Sequence, residues 1–144
     1  MTVREFLENI RYTDMLIDSK LQQIKSIRER LCSATVSLGE KVQGSKDPDK
    51  FTDGVAKIIE LEKAINADID KLVEDKRIAR EMIEELGDNV EKVILYRVYF
   101  ERAKSGQIAY ELGYSKRWVE AKCNEAIKKL EKCSQFSQYF AQSY

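Results

Sequence analysis

The sequence predicts an all-α protein: a long antiparallel helical hairpin of the coiled-coil type, followed by a small three-helix helix-turn-helix domain. Apolar residues recur every seven positions through residues 1–86, and residues 105–124 have the spacing of a helix-turn-helix. Charged residues make up 35% of the chain and there is a single proline, which is typical of helices with solvated faces. A chain of 144 residues can hold one small domain plus an extended element.

The two hairpin helices are predicted from two uninterrupted heptad repeats. A strict seven-residue period is typical of a coiled-coil seam. The first repeat comprises Val3, Ile10, Ile17, Ile24, Leu31 and Leu38, widened by Phe6, Leu7, Leu21 and Ile27. The second comprises Phe51, Ile58, Ile65, Leu72, Ala79 and Leu86.

The connection between the repeats predicts how the two helices are joined. Gly39 is a stop signal for the first helix, and Asp47 followed by Pro48 predicts the start of the second. So short a connection makes the pair antiparallel. Two helices cannot cover all of these apolar residues, so either the carboxy-terminal domain packs on one end of the hairpin or the hairpin pairs with a second chain. We expect the second, a homodimer through residues 3–86. A monomeric hairpin with a narrower apolar stripe is the alternative.

A break at residues 86–89 separates the hairpin from the next element. Gly87 suits a left-handed residue after a helix end. Asp88, with Glu91 three positions later, resembles a capping box for a third helix from Val90 to about Glu101. The predicted domains are therefore residues 1–86, residues 87–132, and a tail of residues 133–144 that is frayed or folded back.

Residues 105–124 carry the helix-turn-helix signal. A small residue is needed at Ala109, where the second helix crosses the first. Gly113 lies where the turn requires a positive φ. Val119 points back into the angle between the helices, together with Ile108 and Leu112.

Two serines are predicted to cap the helices of this motif. Ser105 is placed to cap the first helix and Ser115 the second. The second helix, running from about Lys116 to Lys132, would present apolar residues to the core along its inner face. These inward residues are Val119, Cys123, Ala126, Ile127 and Leu130. Trp118 is interpreted as a half-buried ring that braces the two helices, or as a ring against the sugar-phosphate edge.

Composition argues against an enzyme. Histidine is absent, which removes the commonest general base and metal ligand, and the three cysteines show no metal-ligand spacing. We therefore predict no catalytic residue, metal or cofactor. An odd number of unpaired cysteines fits a reducing cytoplasm. No apolar run approaches the ~20 residues of a membrane span, so no membrane association is expected.

The net charge of zero hides an asymmetry. Residues 1–89 carry 15 Lys/Arg against 19 Asp/Glu, whereas residues 90–144 carry 10 against 6. The positive excess therefore lies in and beside the helix-turn-helix, where it favours contact with phosphates.

The segment VILYRVYFERAKSGQIAYELGYSKRWVEAKCNEAIKKL resembles region 4 of bacterial sigma factors, the domain that reads the promoter −35 element. The whole chain resembles small sigma-region-4-like transcriptional regulators of phages and prophages of Gram-positive bacteria, some likened to activators of late phage genes or of autolysin genes. The pattern departs at Lys122, where an aliphatic residue is usual, and at Gly106, where an acidic or helix-favouring residue is common.

The resemblance implies a cytoplasmic protein of the bacterial host that binds double-stranded DNA through its recognition helix. Base-reading candidates on the outward face are Ser115, Lys116, Arg117, Glu120, Ala121 and Asn124. Arginine and lysine can donate to guanine, Asn124 can pair with adenine, and Glu120 can accept from cytosine. Candidates for phosphate contact are Lys122, Lys128 and Lys129.

Three other functions are compatible with the sequence. The first is an adaptor that binds RNA polymerase or a sigma factor. The second is the small subunit of a phage terminase, although those proteins usually place the DNA-binding unit first. The third is a structural coiled-coil protein without a nucleic-acid role, whose DNA binding would vanish at ~0.2 M salt.

Overall fold

The computed structural model describes residues 1–40 and 48–133, with the side chains of residues 1–33 and 49–133. Five α-helices follow one another: α1 (Val3–Glu40), α2 (Pro48–Glu84), α3 (Asn89–Leu95), α4 (Ser105–Leu112) and α5 (Lys116–Glu131). A π-helical segment, Tyr96–Phe100, continues α3. The described residues form no strand, so the predicted all-α fold is confirmed.

Several predicted helix ends agree with the structure. The second long helix begins at Pro48, and α5 runs from Lys116 to the residue before Lys132. The cap predicted at Asp47 and the tail beyond residue 133 lie outside the described residues. No described helix contains a stretch long and apolar enough to cross a membrane.

The third helix differs from its prediction in geometry. We expected one α-helix from Val90 to about Glu101, but the α-helical pattern ends at Leu95. From there the backbone widens into a π-helical turn, in which the Glu101 N–H donates to the Tyr96 carbonyl at 3.1 Å. Arg102 then takes a positive φ of 57° and directs the chain into α4.

The expected left-handed conformation of Gly87 is not found, because Gly113 is the glycine with a positive φ in the described part of the chain. At the end of α2 the chain instead forms two hydrogen bonds between residues three positions apart. The Glu85 N–H donates to the Met82 carbonyl, and the Leu86 N–H donates to the Ile83 carbonyl. Asp88 does cap α3, since its side chain accepts from the Val90 N–H at 2.8 Å.

The chain divides into two compact units, which we call the arm unit (Asp14–Lys71) and the head unit (Met1–Thr13 and the chain from Leu72 onward). Within the arm unit, α1 and α2 run antiparallel, because Lys20 pairs with Asp68 and Arg28 with Glu62. The seam residues Ile17, Ile24 and Ile65 are buried there. Phe51 and Leu21, by contrast, are about half exposed.

The head unit has its core in the helix-turn-helix and in the hairpin ends that belong to it. Ile94, Ile108, Ala109 and Val119 form one buried cluster. Residues of the first helical turns of α1 and the last turns of α2 are buried in the same unit: Val3, Phe6, Leu7, Ile10, Ala79, Met82, Ile83 and Leu86. The hairpin ends are thus structural parts of the unit that contains the helix-turn-helix.

Candidate nucleic-acid interface

The turn between α4 and α5 has the geometry that the sequence predicted. Gly113 ends α4 with φ 76° and ψ 27°, and the Tyr114 N–H donates to the Ala109 carbonyl at 2.9 Å. Ala109 and Val119 are buried where the two helices cross. The Ser115 hydroxyl oxygen accepts from the Trp118 N–H at 3.1 Å, so the predicted cap of α5 is confirmed.

The start of α4 differs from the prediction. Ser105 was expected as the cap, but it is the first helical residue and Lys104 occupies the cap position. The lysine side chain cannot accept a hydrogen bond, and α4 has no side-chain cap. The first turn of α4 is therefore open at its amino end.

Helix α5 exposes all of the predicted base-reading residues. Ser115, Lys116, Arg117, Glu120, Ala121 and Asn124 are exposed to solvent. Arg117 has no hydrogen bond or ion pair with any described residue and is available to a ligand. Lys116 lies 4.0 Å from the Glu120 carboxylate, at the limit of an ion pair. The Ser115 hydroxyl is already used in capping.

Asn124 has a partner that was not predicted from the sequence. The Arg4 guanidinium, near the start of α1, donates to the Asn124 side-chain oxygen at 2.8 Å. The first turn of α1 therefore lies beside the middle of α5. Asn124 must release Arg4, or share it, before its amide can pair with adenine. Because 120 residues separate the two side chains, no local pattern could have indicated this contact.

The three lysines predicted to contact phosphates differ in how far their charges are already paired within the described residues. Lys128 is exposed and has no ion pair within the described residues. Lys122 lies 3.6 Å from Glu125 and 5.6 Å from the centre of the Trp118 ring. Lys129 donates to the Glu91 carboxylate at 2.7 Å, which raises the pKa of the Lys129 ammonium. Of these three lysines, Lys128 is consequently the one most available to a phosphate.

Glu91 was expected to complete a capping box, but it is 1% exposed and pairs with Lys129 instead. Its other carboxylate oxygen is buried without a hydrogen-bond partner in the described structure. A charge buried in this way must be paired to be tolerated. The position of Glu91 on the same face of α3 as Leu95 could have indicated its burial.

Aromatic side chains line the outer side of the turn. Tyr114 and Trp118 stack with ring centres 3.8 Å apart, and Trp118 packs against the buried cluster, as its half-buried interpretation predicted. Tyr110 is 89% exposed. Solvated aromatic rings of this kind can bind a protein partner or the edge of a nucleic-acid backbone.

Metal-binding side chains are not clustered in the described part of the chain. Within the described residues, no group of three His, Cys, Asp or Glu side chains could hold a metal ion. The Cys123 thiol is largely buried beside the Tyr99 hydroxyl, and burial raises the pKa of both groups. The thiol is therefore protonated near neutral pH, which makes it a poor nucleophile.

One protein family matches the chain. The model of the family described as "Protein of unknown function (DUF1492)" matches residues 30–131, which include all of α2 and the helices of the helix-turn-helix. No curated protein and no solved structure shows significant similarity to the chain.

Proposed function

The chain belongs to the DUF1492 family, whose function is unknown, and we propose that it is a sequence-specific duplex DNA-binding transcriptional regulator of phage or prophage type. The observation that carries this proposal is the geometry of α4 and α5. The left-handed Gly113, the buried Ala109 and Val119, and the Ser115 cap hold α5 at a defined angle to α4. That arrangement is the one by which helix-turn-helix proteins present a helix to the major groove.

The side chains on α5 have the chemistry for such a role. Lys116 and Arg117 are in the first helical turn, which enters the groove deepest, and the unpaired Arg117 can donate two hydrogen bonds to guanine. Lys128 lies three turns further on the same exposed side and would contact a phosphate. Lys129 contributes little to DNA binding, because its charge is used to neutralise Glu91.

The arm unit supports dimerisation with a second copy of the chain. On α2, the large apolar side chains Phe51, Val55 and Ile59 follow one another at four-residue spacing and are 37–53% exposed. Such an exposed apolar stripe is typical of a helix that packs against another helix. A homodimer through the hairpin, residues 3–86, would carry two reading helices, so the target should contain two half-sites.

The decisive experiment is a pull-down of fragments from the source genome at physiological salt, followed by sequencing. We expect enrichment of one or a few sites, with the half-site spacing visible in them. The variant Lys116→Ala/Arg117→Ala should lose the sequence preference and keep its helical circular dichroism. The matched control Lys25→Ala/Arg30→Ala changes the charge equally in the arm unit and should keep the preference. A reading-helix variant that retained full specificity would disprove this assignment of α5.

A second function is favoured by one observation. The exposed Tyr110 and the Tyr114–Trp118 stack offer an aromatic surface beside α5, and aromatic residues are enriched in protein interfaces. The chain would then be an adaptor that binds RNA polymerase or a sigma factor. A flat profile in the genomic pull-down, together with retention of purified polymerase that Tyr110→Ala weakens, would favour the adaptor over the DNA-binding regulator.

A further inference from the structure

A basic cleft lies in the head unit beside the start of the recognition helix. It has a volume of about 490 Å³, and three cationic side chains line it: Arg11 from α1, Lys104 before α4, and Lys116 at the start of α5. The first turn of α4 also lines the cleft, as does one carboxylate, that of Glu120. The three cations come from three separate elements that only the folded chain brings together.

These cations are poorly neutralised by the protein. Neither Arg11 nor Lys104 makes an ion pair or a side-chain hydrogen bond with any described residue, and the Arg11 Nε is buried without a partner. Lys116 has only the distant contact of 4.0 Å with Glu120. Among the described residues that line the cleft, three positive charges thus face one negative charge. A partly buried guanidinium without a carboxylate favours an anion from outside the chain.

The backbone of α4 adds donors of the right kind. The N–H groups of Ser105, Gly106 and Gln107 begin the helix and have no side-chain cap, because the cap residue is Lys104. A Cβ atom added at Gly106 would have no neighbour within 4 Å, so the space beside Gly106 is open. Free N–H groups at a helix start attract anions, phosphates in particular.

We propose that this cleft binds a phosphate group, supplied by the DNA backbone, and that Arg11 is its principal ligand from outside the helix-turn-helix. The inference rests on the proposed function, because the first helix of this motif crosses the backbone when the second enters the groove. The strand read by Arg117 then passes Lys116 and the start of α4. The first turns of α1 act in this way as part of the DNA-binding surface, giving affinity without sequence preference.

The test is the salt dependence of duplex binding by the full chain and by Arg11→Gln, which keeps most of the side-chain stem. Loss of one phosphate contact should reduce the magnitude of the negative slope of log K against log [salt] by about 1. It should weaken binding to all sequences alike. Arg11→Lys should keep the slope, and so should the control Arg30→Gln in the arm unit. An Arg11→Gln protein that is folded, binds its site and has the wild-type slope overturns the proposal.

A second experiment separates failure of the phosphate-site proposal from failure of the proposed function. Inorganic phosphate is titrated into ¹⁵N-labelled protein while the amide resonances of Gly106 and Gln107 are followed. Saturable shifts that Arg11→Gln abolishes support the phosphate site, even for a chain that bound no duplex; the phosphate source would then be a free ligand. Amides that do not respond, in a chain that binds no duplex, overturn the site together with the DNA-binding proposal.

Discussion

Replacing Gly113 by alanine tests whether the turn of the helix-turn-helix requires a residue in the left-handed conformation. The φ of Gly113 is 76°, and an added Cβ would meet no atom within 4 Å. Replacing it by alanine therefore adds backbone strain without a steric clash. A residue with a side chain pays roughly 1–2 kcal/mol in this region, and alanine recovers part of that by restricting the unfolded chain. We expect Gly113→Ala to lower the free energy of unfolding by about 1 kcal/mol.

Gly87 is a matched control in the same unit. An added Cβ there also meets nothing within 4 Å, but its φ lies outside the left-handed region. Alanine at this position should only restrict the unfolded chain, and so stabilise the fold by ~0.4–1 kcal/mol. The two alanine variants should therefore differ by about 1.5–2 kcal/mol.

Urea unfolding followed by circular dichroism at the helical band measures this difference. With a slope of about 2 kcal/mol per molar urea, the two midpoints should lie roughly 0.7–1 M apart, with Gly113→Ala the less stable. Equal midpoints, or a more stable Gly113→Ala, would refute the account of the turn. Unequal slopes would show that more than the native backbone had changed.

Three further outcomes follow from the head unit. Lys129→Met should destabilise the fold by roughly 1–3 kcal/mol in urea titrations because it leaves the buried Glu91 carboxylate unpaired, whereas Lys128→Met should be nearly neutral; equal effects of the two variants would contradict the pairing. Val119→Ala, at a fully buried position, should lower stability by roughly 2 kcal/mol and reduce the melting temperature, and an unchanged melting temperature would contradict the packing. Burial and the hydrogen bond to Glu84 raise the pKa of Tyr96 from 10.0 to about 12. The contribution of the protonated Tyr96 to stability is therefore present below pH 10 and is lost as the pH rises to 12. Tyr96→Phe should flatten this alkaline decline in melting temperature relative to wild type.

Local sequence signals account for the helices and for the turn that carries the candidate site. Heptad spacing predicted the two long helices, and Pro48, Asp88 and Ser115 marked helix starts, because capping and helix-start preferences act over only a few residues. Gly113 was identifiable for the same reason, since the backbone conformation of a single residue is at stake. The predictions for Gly87, Ser105 and Glu91 were wrong, because each position was compatible with two local solutions and packing selected the other.

Several features were decided by tertiary structure alone. The π-helical turn at Tyr96–Phe100 has no short-range signature in the sequence. The bond from Arg4 to Asn124 and the basic cleft with Arg11 depend on contacts between residues more than 90 positions apart. Such contacts form only when the apolar face of α1 is buried in the head unit. The sequence by itself determined the helices, the turn and the exposed face of α5. Which side chains of that face are free to bind a ligand was determined by the packing of distant helices.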